Sequence, residues 1–117
     1  MEGDKMTGEG PATKKHEWMN KLKEEGRLKA NPTEDHAIGL RTLQNPTRRK
    51  ILKALNGSSL SIEEIGDKLD LSRSESKFHL DMLENALYID KIKDSEPAMY
   101  QLSPRGEGFL ANVEETK

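Results

Sequence analysis

Leu71-Ser-Arg-Ser-Glu-Ser-Lys-Phe-His-Leu-Asp-Met-Leu-Glu-Asn-Ala-Leu87 is the stretch around which the chain is organised. Ser72 is placed to cap a helix, and Glu75, three residues on, can reach back to the Ser72 amide, which is the form of a capping box. On a helical wheel Ser76, His79, Leu80, Leu83 and Leu87 share one face, mostly apolar and suited to packing. Ser74, Lys77, Phe78, Asp81 and Asn85 point the other way. That outward face is short and mixed, and it displays a phenylalanine.

The residues just upstream give this helix its meaning. Ser61-Ile-Glu-Glu64 is a second capping box, followed at helical spacing by Ile62, Ile65 and Leu69. Asp70-Leu71-Ser72 leaves room only for a tight turn. Two helices joined by about three residues have helix-turn-helix spacing, a local pattern that an ordinary helical hairpin shares. Gly66 inside the first helix costs roughly 1 kcal/mol against Ala, and a small residue there would let the second helix cross closely.

Of the chain's 117 residues, 32% are hydrophobic and 34% charged, lean for a globular protein. The leanness is uneven. Residues 1–35 hold only eight of the apolar set, Met1, Met6, Ala12, Trp18, Met19, Leu22, Leu28 and Ala30, so the core must come from the remainder. A formal net charge of −2 provides no global basic field. The absence of cysteine rules out disulfides and thiolate metal sites and favours a reducing compartment. No run reaches transmembrane length, and the N-terminus lacks the apolar centre of a signal peptide. The expectation is a cytoplasmic protein with no membrane association.

Residues 1–13, with three Gly and a Pro, read as a disordered tail. Residues 14–30 read as an N-terminal helical extension, with Trp18 and Leu22 four apart, Lys21 and Glu25 able to pair, and Gly26 weakening its end. Its lone Trp suits docking onto its own domain or a dimer partner. Residues 31–117 form the main domain. Asn31-Pro-Thr-Glu-Asp35 starts a helix that runs to about Gln44, and Asn45-Pro-Thr47 interrupts it before a second helix carrying Ile51, Leu52 and Leu55. Arg41, Arg48, Arg49, Lys50 and Lys53 form a one-signed basic run between 41 and 53. Tyr88–Lys93 and Ala98–Leu102 are strand-like, with Ala98, Tyr100 and Leu102 on one face and a turn at Asp94-Ser-Glu-Pro97. Ser103 and Pro104 then open a last helix whose apolar side holds Phe109, Leu110 and Val113.

Three spaced segments resemble a known family. Leu43-Gln-Asn-Pro-Thr-Arg-Arg-Lys-Ile-Leu-Lys-Ala-Leu55 is similar to the second-helix signature of ArsR-type winged-helix regulators, roughly L-x-[DN]-P-T-R-x-x-I-L-x-x-L. Leu71, Ser72, Ser74, His79, Leu80, Leu83 and Ala86 match that family's recognition helix. Tyr100-Gln-Leu-Ser-Pro-Arg-Gly106 resembles its returning wing strand, Y-x-L-[ST]-x-x-G. The resemblance spans about residues 36–115 and implies a mainly α fold with a small β-hairpin wing, the winged helix-turn-helix. It implies a homodimer joined through the first and last helices, and a prokaryotic transcription regulator binding duplex DNA through the helix at 72–87 and the wing at 88–102. By position, Ser74, Lys77, Phe78 and Asp81 would face bases, and Arg73, Arg48, Lys91 and Lys93 would meet phosphates. The family's metal-sensing cysteines are absent, and Leu87 stands where a helix-ending Gly is usual.

Acidic residues keep a second reading open. Asp94 and Glu96 sit at the wing tip, and Glu75, Asp81 and Glu84 lie on or beside the outward face. A winged helix used for protein contacts, with a protein partner in place of DNA, would carry such a surface. The sequence gives no sign of catalysis: it has no nucleophile elbow, phosphate-cradling glycine loop or paired carboxylates in an apolar setting. His16, His36 and His79 fall on separate segments, so no metal or other cofactor is expected. His79, on the inward face, is expected to hydrogen-bond within the core.

Overall fold

A computed structural model describes the backbone of residues 11–28 and 31–115, and side chains of 14–28 and 31–112. The chain divides into two compact units, residues 1–31 and 32–117.

In the first unit, α1 spans Pro11–Glu24. Pro suits the first helical position, so the helix starts within what the sequence reads as tail, while residues 1–10 of that tail lie outside the described residues. Its end is equally local. Gly26 takes φ +70°, and the Arg27 amide donates back to the Leu22 carbonyl at 2.9 Å. This left-handed cap stops the helix short of the extent read from sequence. Trp18 and Leu22 are its buried apolar side chains.

The second unit is built from α2 (Pro32–Leu43), α3 (Pro46–Ala54), β1 (Leu60–Ser61), α4 (Ile62–Leu69), α5 (Arg73–Asn85), β2 (Ile89–Lys91), β3 (Met99–Leu102) and α6 (Pro104–Glu115). This is a mainly α fold with a small antiparallel sheet of strand order β1-β3-β2. Asn45 caps α3 by accepting from the Thr47 and Arg48 amides, while Pro46, having no amide hydrogen to donate, fits the first turn. Both expected capping boxes are formed, Ser61 with Glu64 and Ser72 with Glu75. Strand β1 has no counterpart in the sequence reading. Two residues cannot show alternation, and Ser61 serves at once as strand residue and helix cap.

The core gathers Ile51, Leu52 and Leu55 from α3, Ile62 and Ile65 from α4, and Leu80 and Leu83 from α5. The sheet adds Leu60, Ile89, Tyr100 and Leu102. Ala98, expected to share the inner face with Tyr100 and Leu102, is exposed before β3 begins. Leu110 of α6 is also buried in this core, while Ile38, Leu43 and Phe109 pack against it partly buried. The unit therefore covers by itself much of the apolar surface of the first and last helices, through which the resemblance implies a dimer; the side chain of Val113 lies outside the described residues. Leu40 of α2 is left 53% exposed.

Close approach explains two glycines. A Cβ on Gly66 would stand 2.9 Å from the Leu71 carbonyl oxygen and 3.3 Å from Ser76 Oγ, so α5 does cross α4 at the point where the sequence places a small residue. A Cβ on Gly106 would overlap the Tyr88 carbonyl oxygen. There, Ser103 Oγ donates to the Leu87 carbonyl at 2.7 Å and accepts from the Gly106 amide at 3.1 Å, tying the start of α6 to the end of α5.

Candidate nucleic-acid interface

Helix α5 owes its orientation to both ends. Asp70 ends α4 in the left-handed region at φ 59°, and the Leu71 amide reaches the Gly66 carbonyl at 2.9 Å, so the chain turns within three residues. At the other end Leu87 takes φ 68°, with the Leu87 amide on Glu84 and the Tyr88 amide on Leu83, both at 3.0 Å. This closes a Schellman motif, which ordinarily uses glycine. Here the residue is a leucine whose side chain is only 1% exposed.

Between these ends the wheel reading holds for Ser76, Leu80 and Leu83, which are buried, and for Ser74, Lys77, Phe78 and Asp81, which are exposed. Phe78 is 55% exposed. Lys77 Nζ lies 3.0 and 3.2 Å from the two oxygens of Asp81, one turn on, and that bond raises the lysine's pKa. The two groups are thus paired with each other on the free surface. Arg73 bonds the Glu63 carboxylate from the start of α4. Glu63 escaped the sequence reading, because ten residues and a turn separate it from Arg73.

Arg48 is the clearest departure. Read as a phosphate contact in an exposed basic run, it is only 8% exposed. Its Nε donates to His79 Nδ1 at 3.1 Å and its NH1 to the Thr42 carbonyl at 3.4 Å. Its guanidinium carbon lies 5.5 Å from the centre of the Phe78 ring, and the Phe78 and His79 rings meet edge-on at 5.4 Å. Arg49 is likewise drawn inward, donating to the Leu43 carbonyl. Helical phase dictates this: α3 must bury Ile51, Leu52 and Leu55, and Arg48, at i−3 and i−4 from the first two, is carried in with them. His79, expected in the core, is partly buried and accepts from Arg48. Burial first, and the arginine charge second, hold its pKa below the ordinary value, with Glu75 pulling the other way.

The wing is β2 and β3 with their connecting turn. Lys91 Nζ lies 5.8 Å from the centre of the Tyr100 ring, and Lys93, Asp94 and Glu96 are exposed. Ser95 fixes the turn by donating to the Ile92 carbonyl at 3.1 Å and accepting from the Met99 amide at 3.0 Å. Thus α5 brings Arg73, Ser74, Lys77, Phe78 and Asp81 onto one exposed surface, the wing supplies Lys91 and Lys93, and Arg48 lies beneath. Among the described residues no cluster of His, Asp or Glu could hold a metal ion, and no helix is long and apolar enough to cross a membrane.

A two-helix unit with capped ends and a tight turn, followed by a β-hairpin, defines a winged helix-turn-helix. Residues 45–91 match the model of the bacterial regulatory protein, arsR family, and the chain holds no cysteine. Solved structures agree on the fold. A possible transcriptional regulatory protein fragment from Mycobacterium bovis is 18% identical, with a TM-score of 0.67 over 76% of this chain and 97% of that one. A homodimeric winged helix-turn-helix DNA-binding domain from Mycobacterium bovis is 16% identical, with a TM-score of 0.66 over 72% and 79%. NolR from Sinorhizobium fredii is 23% identical, with a TM-score of 0.64 over 76% and 95%. No curated protein matches the chain.

Proposed function

We propose that this protein is a cytoplasmic transcription regulator and not an enzyme, binding duplex DNA as a homodimer with α5 in the major groove and the β2–β3 wing along the backbone. The observation that carries the reading is the outward face of α5. A second helix locked by caps at both ends presents Ser74, Lys77 and a 55% exposed Phe78 in its first two turns, the part of a recognition helix that meets base edges. Lys77 can donate to guanine, Phe78 can pack on a thymine methyl, and Asp81 can accept from cytosine N4. Arg73, Lys91 and Lys93 are the cations for phosphates.

Dimerisation is supported by the homodimeric relative of similar fold and by Leu40, the large apolar side chain that α2 leaves open. Leu40 borders a groove of 380 Å³ lined also by Pro32, His36, Gly39 and Tyr88. Selection of bound duplexes from a random pool by the purified protein tests the reading. A recovered two-fold motif, with affinity falling steeply as salt rises, supports it. The acidic wing tip at Asp94 and Glu96 favours the protein-contact alternative, which predicts no enriched motif and no steep salt dependence.

A further inference from the structure

We propose that Arg48 positions Phe78 for base reading and does not itself touch DNA. The inference rests on the DNA-binding function proposed above and goes beyond it by identifying the group that fixes the reading side chain. A nearly buried guanidinium ordinarily sits against a carboxylate, because burying a charge without a partner is costly. Among the described residues the contacts of Arg48 include no carboxylate. They are an imidazole nitrogen, a backbone carbonyl and an aromatic face. Two of the three belong to adjacent residues of α5, His79 and Phe78, while the arginine itself comes from α3.

The geometry explains how an exposed ring keeps one orientation. Phe78 lies on the solvent side of its helix, where a side chain is ordinarily free to change rotamer. Arg48 covers one side of the ring at 5.5 Å, and His79 meets it edge-on at 5.4 Å. The Nε bond at 3.1 Å locks arginine and imidazole to each other, and the Thr42 carbonyl at 3.4 Å holds the far end of the guanidinium. A ring held this way meets a thymine methyl without losing rotamer freedom on binding.

The test compares Arg48→Met and Arg48→Lys with Phe78→Ala and the parent protein, reading both base preference and salt slope. A positioning residue predicts that both Arg48 variants relax the preference at the base position sensitive to Phe78→Ala, by about tenfold. Their salt slopes stay at the parent value, and Arg48→Met adds nothing further to Phe78→Ala. A phosphate contact predicts a different pattern, and that pattern overturns the proposal: Arg48→Met weakens all sequences alike and lowers the slope by about one, while Arg48→Lys keeps it. If Arg48→Met does not fold, His79→Ala removes the same lock from α5 and must relax the same base position. If the parent protein selects no DNA sequence, the functional reading fails, and ring-proton resonances of Phe78 decide the positioning separately. Resonances that shift in Arg48→Lys and His79→Ala uphold it, and unmoved resonances overturn it.

Discussion

Arg48 on α3 donates from Nε to Nδ1 of His79 on α5 at 3.1 Å, so the imidazole must be neutral at that nitrogen. Protonation would replace an acceptor with a donor and set two cations side by side. Burial and Arg48 both lower the pKa of His79 from 6.5. A histidine with a lowered folded-state value binds protons more readily when unfolded, so its contribution is complete above the unfolded value and is lost as pH falls through the folded one. The melting temperature should therefore drop as pH is lowered below about 6.5, and His79→Gln should flatten the histidine part of that dependence. An unchanged profile in the variant would remove His79 as its source.

Asp81→Asn should raise affinity for non-specific DNA several-fold while changing the affinity for a preferred site less. The exposed pair with Lys77 contributes little by itself, because solvent screens it. The larger effect is removal of an anion from the surface proposed to approach phosphates, together with release of the Lys77 amine. Salt titrations of the two proteins on random-sequence duplex check this: the variant should show the steeper slope, by about one unit.

Leu87→Gly should destabilise the protein by about 1–3 kcal/mol, although glycine is the usual residue at such a position. Relieving a left-handed non-glycine backbone recovers roughly 1–2 kcal/mol. Deleting a leucine that is 1% exposed costs about 2–5 kcal/mol. Burial outweighs strain, and for that reason a leucine can stand at φ 68°. Denaturant unfolding of the variant decides between the two effects.

Gly66→Ala should also destabilise, by about 1–3 kcal/mol, reversing the usual helix preference for Ala. The new methyl would press on the Leu71 carbonyl oxygen at 2.9 Å, a backbone atom held by the turn. Ser76→Ala, at the same crossing, should have the opposite sign. Ser76 Oγ is buried with no hydrogen-bond partner among the described residues, so its removal should leave stability unchanged or raise it by up to about 1 kcal/mol. Thermal melts of the two single variants give both signs.

Much of this molecule follows from local chemistry. The caps at Ser61 and Ser72, the break at Asn45-Pro46, the three-residue turn after Leu69 and the apolar side of α5 each depend on residues within four positions of one another, so spacing alone determines them. The exposure of Ser74, Lys77, Phe78 and Asp81 follows from the same helical phase. What depends on distant residues was settled only by the tertiary structure. Strand β1 exists because β3 pairs with it some forty positions later. Arg73 meets Glu63 across the turn, and Arg105 forks onto Asp35 seventy positions away at 3.1 and 3.3 Å. Arg48 shows the division most clearly. Its sequence neighbours make it one cation in a basic run, but the helix that must bury Ile51 and Leu52 carries it inward, and packing against α5 gives it an imidazole and a ring in place of solvent. Local spacing fixes which way a helix faces; what each side chain meets there depends on elements that only folding brings together.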